Sequence, residues 1–204
     1  MKRILVACEY SGRVRDAFRK LGHDAWSCDL LPAETPSPYH YQCDLREVLG
    51  KGWDMLIAFP DCTFVCGSGI HWNDRGRGWE RTEAAVEFFR MLWEQPIHYI
   101  ALENPIGILS KRICKPTQII QPHQFGDDAS KATCLWLKNL PSLSLPPSTS
   151  LLASSGGRSG GLTRPTAGRT VSDLPTTAGK SGHEPTKASP TRWPINGTFT
   201  SPSK

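Results

Sequence analysis

ILVACEYSGRVRDAFRKLGHDAWSCD, residues 4–29, is the stretch that decides the fold. Ile4-Leu5-Val6-Ala7 is a short apolar run that ends at a glycine-containing turn, the pattern of a buried strand. From Ser11 to Leu21, Val14, Ala17, Phe18 and Leu21 recur at helical spacing, and Gly22 stops the helix. Ala25 to Cys28 reads as a second strand.

The alternation continues downstream. Leu45 to Leu49 is a short helix behind Asp44, a residue suited to cap it. Met55 to Phe59 is an apolar strand closed by Pro60. Trp79 to Trp93 carries Ala84, Phe88, Phe89, Leu92 and Trp93 on an amphipathic helix whose aromatic stripe faces a core. His98 to Leu102 is another strand, and Thr133 to Leu137 one more. Strands separated by helices predict an α/β, Rossmann-like parallel sheet with helices on both faces.

Composition bounds what such a chain can do. Of 204 residues, 38% are hydrophobic, with 7 Trp, 7 Phe and 4 Tyr, which is enough to build a core. No apolar run is long enough to span a bilayer, and the N-terminus does not read as a signal peptide, so no membrane association is expected. The 7 cysteines show no repeating spacing and read as reduced thiols of a cytoplasmic protein. Residues 1–145 hold 17 Lys and Arg against 17 Asp and Glu, so the whole net charge of +5 comes from residues 146–204. Net charge therefore gives the folded part no basic surface; local clusters such as Arg75, Arg77 and Arg81 remain as phosphate contacts.

The same boundary divides the composition. Residues 146–204 contain 36 Pro, Gly, Ser and Thr in 59 positions, without apolar periodicity. Such a segment buries too little surface to offset its chain entropy, and it is read as a disordered tail behind a domain of residues 1–145.

Ligands of doubly wound sheets bind at the carboxyl ends of the strands. Cys8-Glu9-Tyr10-Ser11-Gly12, Cys28-Asp29, Cys43-Asp44, Phe59-Pro60-Asp61-Cys62 and Glu103-Asn104-Pro105 all follow strands or lie at such ends. Asp29 lies 17 residues after Gly12, near the spacing of a ribose-binding carboxylate. The first turn lacks GxGxxG and holds Glu9, which repels a pyrophosphate. A nucleoside with a cationic centre suits it better, and S-adenosylmethionine is the common one.

With these residues in place, residues 1–140 resemble the C-5 cytosine-specific DNA methyltransferases, especially short phage or prophage versions. ACEYSG at 7–12 looks like the family's first cofactor loop. Pro60-Asp61-Cys62 looks like its Pro-Cys catalytic loop, and Glu103-Asn104-Pro105 like its Glu-Asn-Val motif. Phe125-Gly126 followed by Lys131-Ala132-Thr133 is similar to a late segment that carries arginines in the family. The resemblance implies a methyltransferase fold and S-adenosylmethionine held by Glu9, Tyr10, Ser11, Gly12, Asp29, Asp44 and Pro60. It implies cytosine-containing DNA as substrate, with a Cys62 thiolate attacking cytosine C6, Glu103 protonating N3 and Asn104 holding the Glu103 loop in shape. Arg75, Arg77, Arg81 and Lys131 would contact DNA, with Trp72 and Trp79 as stacking surfaces.

The chain departs from that pattern in three places. Asp61 stands beside the nucleophile, where a carboxylate raises the thiol pKa. Lys131 replaces the late arginine pair. The family's closing helix is missing from the tail, yet residues 173–197, re-read one base earlier with permitted codons, can spell PTDDRWKKRARTYQGIADAMADQW. That amphipathic, aromatic string implies a coding frame shifted between about Leu140 and Gly161, with the tail as out-of-frame translation.

Plainer readings stand beside these. Cys62 is also readable as an inert buried thiol and Glu103 as a turn cap. Cys62, Cys66 and His71 fall within zinc spacing but lack a fourth ligand nearby, so no metal is expected. Cys8, Cys28, Cys43, Cys114 and Cys134 read as packing residues. A non-catalytic nucleotide- or DNA-binding remnant of the fold and a transferase acting on free nucleotides remain alternative functions.

Overall fold

In the computed structural model, residues 1–126 and 131–145 are described. The tail read as disordered and out of frame, residues 146–204, lies outside the described residues.

The strand–helix–strand unit forms as its pattern predicts. Strand β1 is Arg3–Ala7, helix α1 is Arg13–Lys20 and strand β2 is Asp24–Asp29. Gly22 takes φ 82 beyond the end of α1, a conformation that ends a helix cheaply only at glycine. Strand β3, His40–Gln42, had no sequence signal because three half-polar residues show no period. Helix α2 is Arg46–Leu49, strand β4 is Met55–Ala58 and helix α3 is Gly67–Ile70. A π-helical turn at Asn73–Arg77 precedes helix α4, Glu80–Trp93. Strand β5 is Tyr99–Pro105, helix α5 is Leu109–Arg112, strand β6 is Gln118–Ile120 and strand β7 is Thr133–Lys138.

The seven strands form one sheet in the order β3-β2-β1-β4-β5-β7-β6. The pairs β2–β3, β1–β2, β1–β4 and β4–β5 are parallel. Strand β7 runs antiparallel to both β5 and β6, so the expected parallel sheet is in fact mixed. The reason is connectivity. The described part of the connection from β6 to β7 holds only a short 3₁₀ turn, Pro122–Phe125, and no crossover helix, so β7 returns antiparallel and pairs with both β6 and β5.

Alternation along β1 assigns the two layers. Leu5 and Ala7 face a core with Val48, Val86, Phe89, Leu92 and Trp136, so α2 and α4 cover that side. Ile4 and Val6 face the opposite core with Met55, Ile57, Leu135 and Phe125, where Val14 and Phe18 of α1 pack. Apolar burial on both faces explains the near-continuous hydrophobic runs of β1 and β4. Strand order reverses between β1 and β4, and the loops leaving these two strands therefore flank the crevice where such sheets bind ligands. No helix among the described residues is long and apolar enough to cross a membrane.

Candidate active site

The loop after β1 begins with a strained residue. Cys8 adopts φ 56, outside the conformations a β-carbon prefers, which turns the chain sharply out of the sheet. Burial, with Asp29 and then Asp61 adding negative charge, pushes the Cys8 thiol up to about 12. The carboxyl ends of β1, β2 and β4 lie on the same side of the sheet, as their parallel order requires. Nothing in the residue type of Cys8 announces a left-handed backbone.

Glu9 is buried, and its role is local. Its carboxylate accepts the backbone N–H groups of Val14 at 2.6 Å and Arg15 at 3.3 Å, and the Ser11 hydroxyl at 3.4 Å. Burial raises its pKa, and these hydrogen bonds with the Arg15 charge act in the opposite direction. The start of α1 is thus saturated by an internal carboxylate and cannot cradle a phosphate. The Glu9 charge, expected to stand open in this turn, is turned instead onto the backbone of α1. Gly12 takes φ 73 with the Arg15 guanidinium against the place of a β-carbon, so only glycine fits. The Tyr10 carbonyl accepts the N–H of Glu34, fastening the segment after β2 to the same loop.

The two other rim carboxylates also have local partners. Asp29 Oδ1 accepts the Leu31 N–H at 2.9 Å, and exposed Leu30 and Leu31 follow it. Asp44 accepts the Arg46 N–H at 2.9 Å and pairs with the Arg46 guanidinium at 2.8 Å, and the bond from that N–H leads in holding its pKa below the usual value. The residue at the cap position of α2 is Leu45, with Asp44 one residue earlier still bonding into the first turn.

Across the crevice, the β4 loop and the end of β5 are joined. Asn104 Nδ2 donates to the Pro60 carbonyl at 2.8 Å, and Asn104 and Pro60 are both buried. Glu103, Asn104 and Pro105 belong to β5 rather than to a loop beyond it, paired with Leu135, Cys134 and Thr133 of β7. Asn104 therefore ties the end of β5 to the loop that carries Cys62.

Cys62 and Glu103 are electrostatic neighbours, and Lys131 faces both. Burial pushes the Cys62 thiol up; Lys131 opposes this, while Cys66, Asp61 and Glu103 add to it. Asp61 bonds to Thr63, accepting its N–H at 2.9 Å and its hydroxyl at 2.6 Å. The expected effect of Asp61 on the thiol has the right sign, but burial outranks it. Glu103 is raised from 4.5 to about 7 by burial, with Lys131 and Thr133 acting against the rise. Such a carboxyl is divided between its acid and its carboxylate near neutrality, the condition for moving a proton in either direction.

The segment after Cys62 is clamped. The Val65 and Cys66 N–H groups bond to the Cys62 carbonyl, and the Ile108 N–H bonds to the Val65 carbonyl at 2.9 Å. Gly69 sits against the Thr63 carbonyl and Gly107 against the Val65 carbonyl, leaving no room for a β-carbon at either. Arg75 lies in the π-helical turn with its guanidinium 5.9 Å from the centre of the exposed Trp72 ring, and Arg77 ends that turn. Arg81, on α4, lies 5.5 Å over the Phe64 ring, and the partly exposed Trp79 donates to Asp74. Among the described residues, no three His, Cys, Asp or Glu side chains are grouped as metal ligands; Cys66 bonds instead with Ser68 at 3.2 Å.

No family model matches the sequence, and no curated protein matches it. Among solved structures, the backbone is similar to that of an E. coli protein encoded within a prophage and named as a candidate DNA modification methyltransferase. The TM-score is 0.42 at 15% sequence identity, over 67% of this chain and 46% of that one. The chain thus spans about half the length of that protein.

Proposed function

We propose that this protein transfers a methyl group to C5 of cytosine in DNA, with Cys62 as nucleophile and Glu103 as proton donor. The observation that carries the reading is that Cys62, in the loop after β4, Glu103, near the end of β5, and Lys131 feel one another's charge, with the Asn104–Pro60 hydrogen bond tying that loop to β5. A thiol next to a carboxyl that titrates near neutrality supplies what addition to a pyrimidine ring needs.

The cofactor side of the crevice fits S-adenosylmethionine. With the N–H groups of α1 taken by Glu9, the turn accommodates no phosphate, whereas Asp29 and the apolar Leu30 and Leu31 beside it suit a ribose and an adenine. Tyr10, Ser11, Gly12, Asp44 and Pro60 complete this rim. When bound, the cofactor supplies the electrophilic methyl group.

The chain's own residues do the rest. Cys62 Sγ bonds to C6 of the ring while Glu103 gives its proton to N3, so the C5–C6 π electrons become available at C5. After methylation, loss of the C5 proton to solvent expels the thiolate, and N3 returns its proton to Glu103. Lys131 favours the thiolate and the carboxylate by its charge. Arg75, Arg77 and Arg81 hold phosphates, and Trp72 offers a face to an unstacked base.

DNA carrying 5-fluorocytosine tests the reading, because fluorine cannot leave as a cation. With S-adenosylmethionine present, the protein should form a denaturation-resistant complex that Cys62→Ser abolishes and Cys66→Ser retains. Trapping that survives Cys62→Ser would refute the nucleophile. The raised thiol pKa favours a second reading, a non-catalytic remnant of the fold, and cofactor binding without any trapping would select it.

A further inference from the structure

A buried hydrogen-bond chain links the π-helical turn to the segment that carries Cys62. Thr82, fully buried on α4, donates its hydroxyl to the Phe64 carbonyl at 2.8 Å. Asn73, buried in the π-helical turn, donates its Nδ2 to the Thr82 hydroxyl at 2.7 Å. Phe64 lies two residues after Cys62, inside the turn closed by the Val65 and Cys66 N–H groups on the Cys62 carbonyl. One hydroxyl therefore receives the Arg75-bearing turn on one side and grips the Cys62 turn on the other.

We infer that Thr82, held by Asn73, is a positioning residue that fixes the Cys62 turn and couples it to the loop of residues 67–79. The inference rests on the reading of Cys62 as nucleophile. Two features argue against mere filling of space. The Oδ1 of Asn73 is buried without a partner among the described residues, a cost that an apolar residue would avoid. The hydrogen-bond chain also ends in a kinked turn where Arg75 and Gly76 leave helical geometry, Gly76 at φ 102, so Asn73 fastens an irregular segment rather than a regular helix to α4.

From the other side, Asn104 holds Pro60 and Gly107 packs on Val65. The nucleophile's segment is thus held from β5 and from α4 together. Releasing the α4 hold leaves the fold's cores intact but frees the turn, so the thiol becomes more exposed and worse placed.

The test measures alkylation of Cys62 by iodoacetamide, read peptide by peptide in the full chain, with half-exposed Cys114 as the internal reference. Thr82→Val should speed modification of Cys62 by about threefold or more, the scale of one lost hydrogen bond, with Cys114 unchanged. Thr82→Ser should restore the original rate. Asn73→Ala gives the same readout with a milder change should Thr82→Val fold poorly. Where methyl transfer is measurable, Thr82→Val should lower kcat and leave KM for DNA unchanged. Unaltered Cys62 modification in both Thr82→Val and Asn73→Ala, a parallel rise at Cys114, or Thr82→Ser behaving as Thr82→Val would overturn the inference. If these variants shift Cys62 as described but the unmodified chain never traps 5-fluorocytosine DNA, the hold stands and the cytosine reading falls.

Discussion

Asn104 Nδ2 reaches the Pro60 carbonyl at 2.8 Å, 44 residues away in sequence, and this bond makes the ends of β4 and β5 one rigid edge. Replacing Asn104 with Leu removes the donor and leaves the buried Pro60 carbonyl unpaired. Asn104→Leu should cost about 1 kcal/mol of stability, because the unpaired carbonyl is partly offset by removal of the buried Asn104 Oδ1, which has no partner among the described residues. Urea unfolding with an unchanged slope measures it, and a loss below about 0.5 kcal/mol would show that the bond contributes little.

Glu103 makes stability depend on pH in an unusual direction for a carboxylate. Its folded pKa of about 7 exceeds the ordinary 4.5, so the folded state holds the proton more tightly than the unfolded chain. Stability is unaffected below the unfolded value, falls as pH rises from about 4.5 to 7, and is level above that. The penalty above pH 7 is ~3 kcal/mol at 1.36 kcal/mol per unit. Glu103→Gln should therefore be more stable than the parent at pH 8 and closely matched at pH 4.5. Equal unfolding curves at pH 8 would place Glu103 in a wetter setting than its burial indicates.

Lys131 and Asp61 pull the Cys62 thiol in opposite directions, with the lysine ranking ahead of the carboxylate. The rate of thiol alkylation against pH reports the difference. Lys131→Gln should move the profile to higher pH, and Asp61→Asn should move it to lower pH by a smaller amount. In both variants burial still acts to raise the thiol's pKa. A larger shift from Asp61→Asn than from Lys131→Gln would reverse the ranking.

Gly69 and Gly107 are places where backbone meets backbone. A β-carbon at Gly69 collides with the Thr63 carbonyl, and one at Gly107 with the Val65 carbonyl. Neither neighbour is a flexible side-chain end, so the strands of the turn must separate. Gly107→Ala should cost about 1–3 kcal/mol, the range for overpacking, and should increase modification of Cys62. By contrast, Gly50→Ala meets nothing within 4 Å and serves as the control.

The two rim acids should separate in a binding measurement. Calorimetry with S-adenosylhomocysteine should show Asp29→Ala weakening affinity by at least about 1 kcal/mol, the scale of a hydrogen bond to a charged group. Asp44, already paired with Arg46 at the surface, should matter less. Unchanged affinity in Asp29→Ala would place the nucleoside elsewhere.

The sequence by itself determined the parts of this protein whose causes are local. Ile4 to Ala7 and Met55 to Ala58 are strands because unbroken apolar runs suit a sheet buried on both faces. Arg13 to Lys20 and Glu80 to Trp93 are helices because their apolar residues recur every three to four positions. Polar residues at the carboxyl ends of those strands then had to share one rim, since parallel strands all end on the same side. Tertiary structure decided what depends on distant partners. Strand β7 runs antiparallel because of what precedes it, and Glu103 titrates near 7 because β7 and the Cys62 loop bury it. Glu9 caps the start of α1 because the first turn of that helix folds back onto its carboxylate. Thr82 meets Phe64 only once α4 has packed on the sheet, and no periodicity along a chain encodes which buried hydroxyl will find which carbonyl.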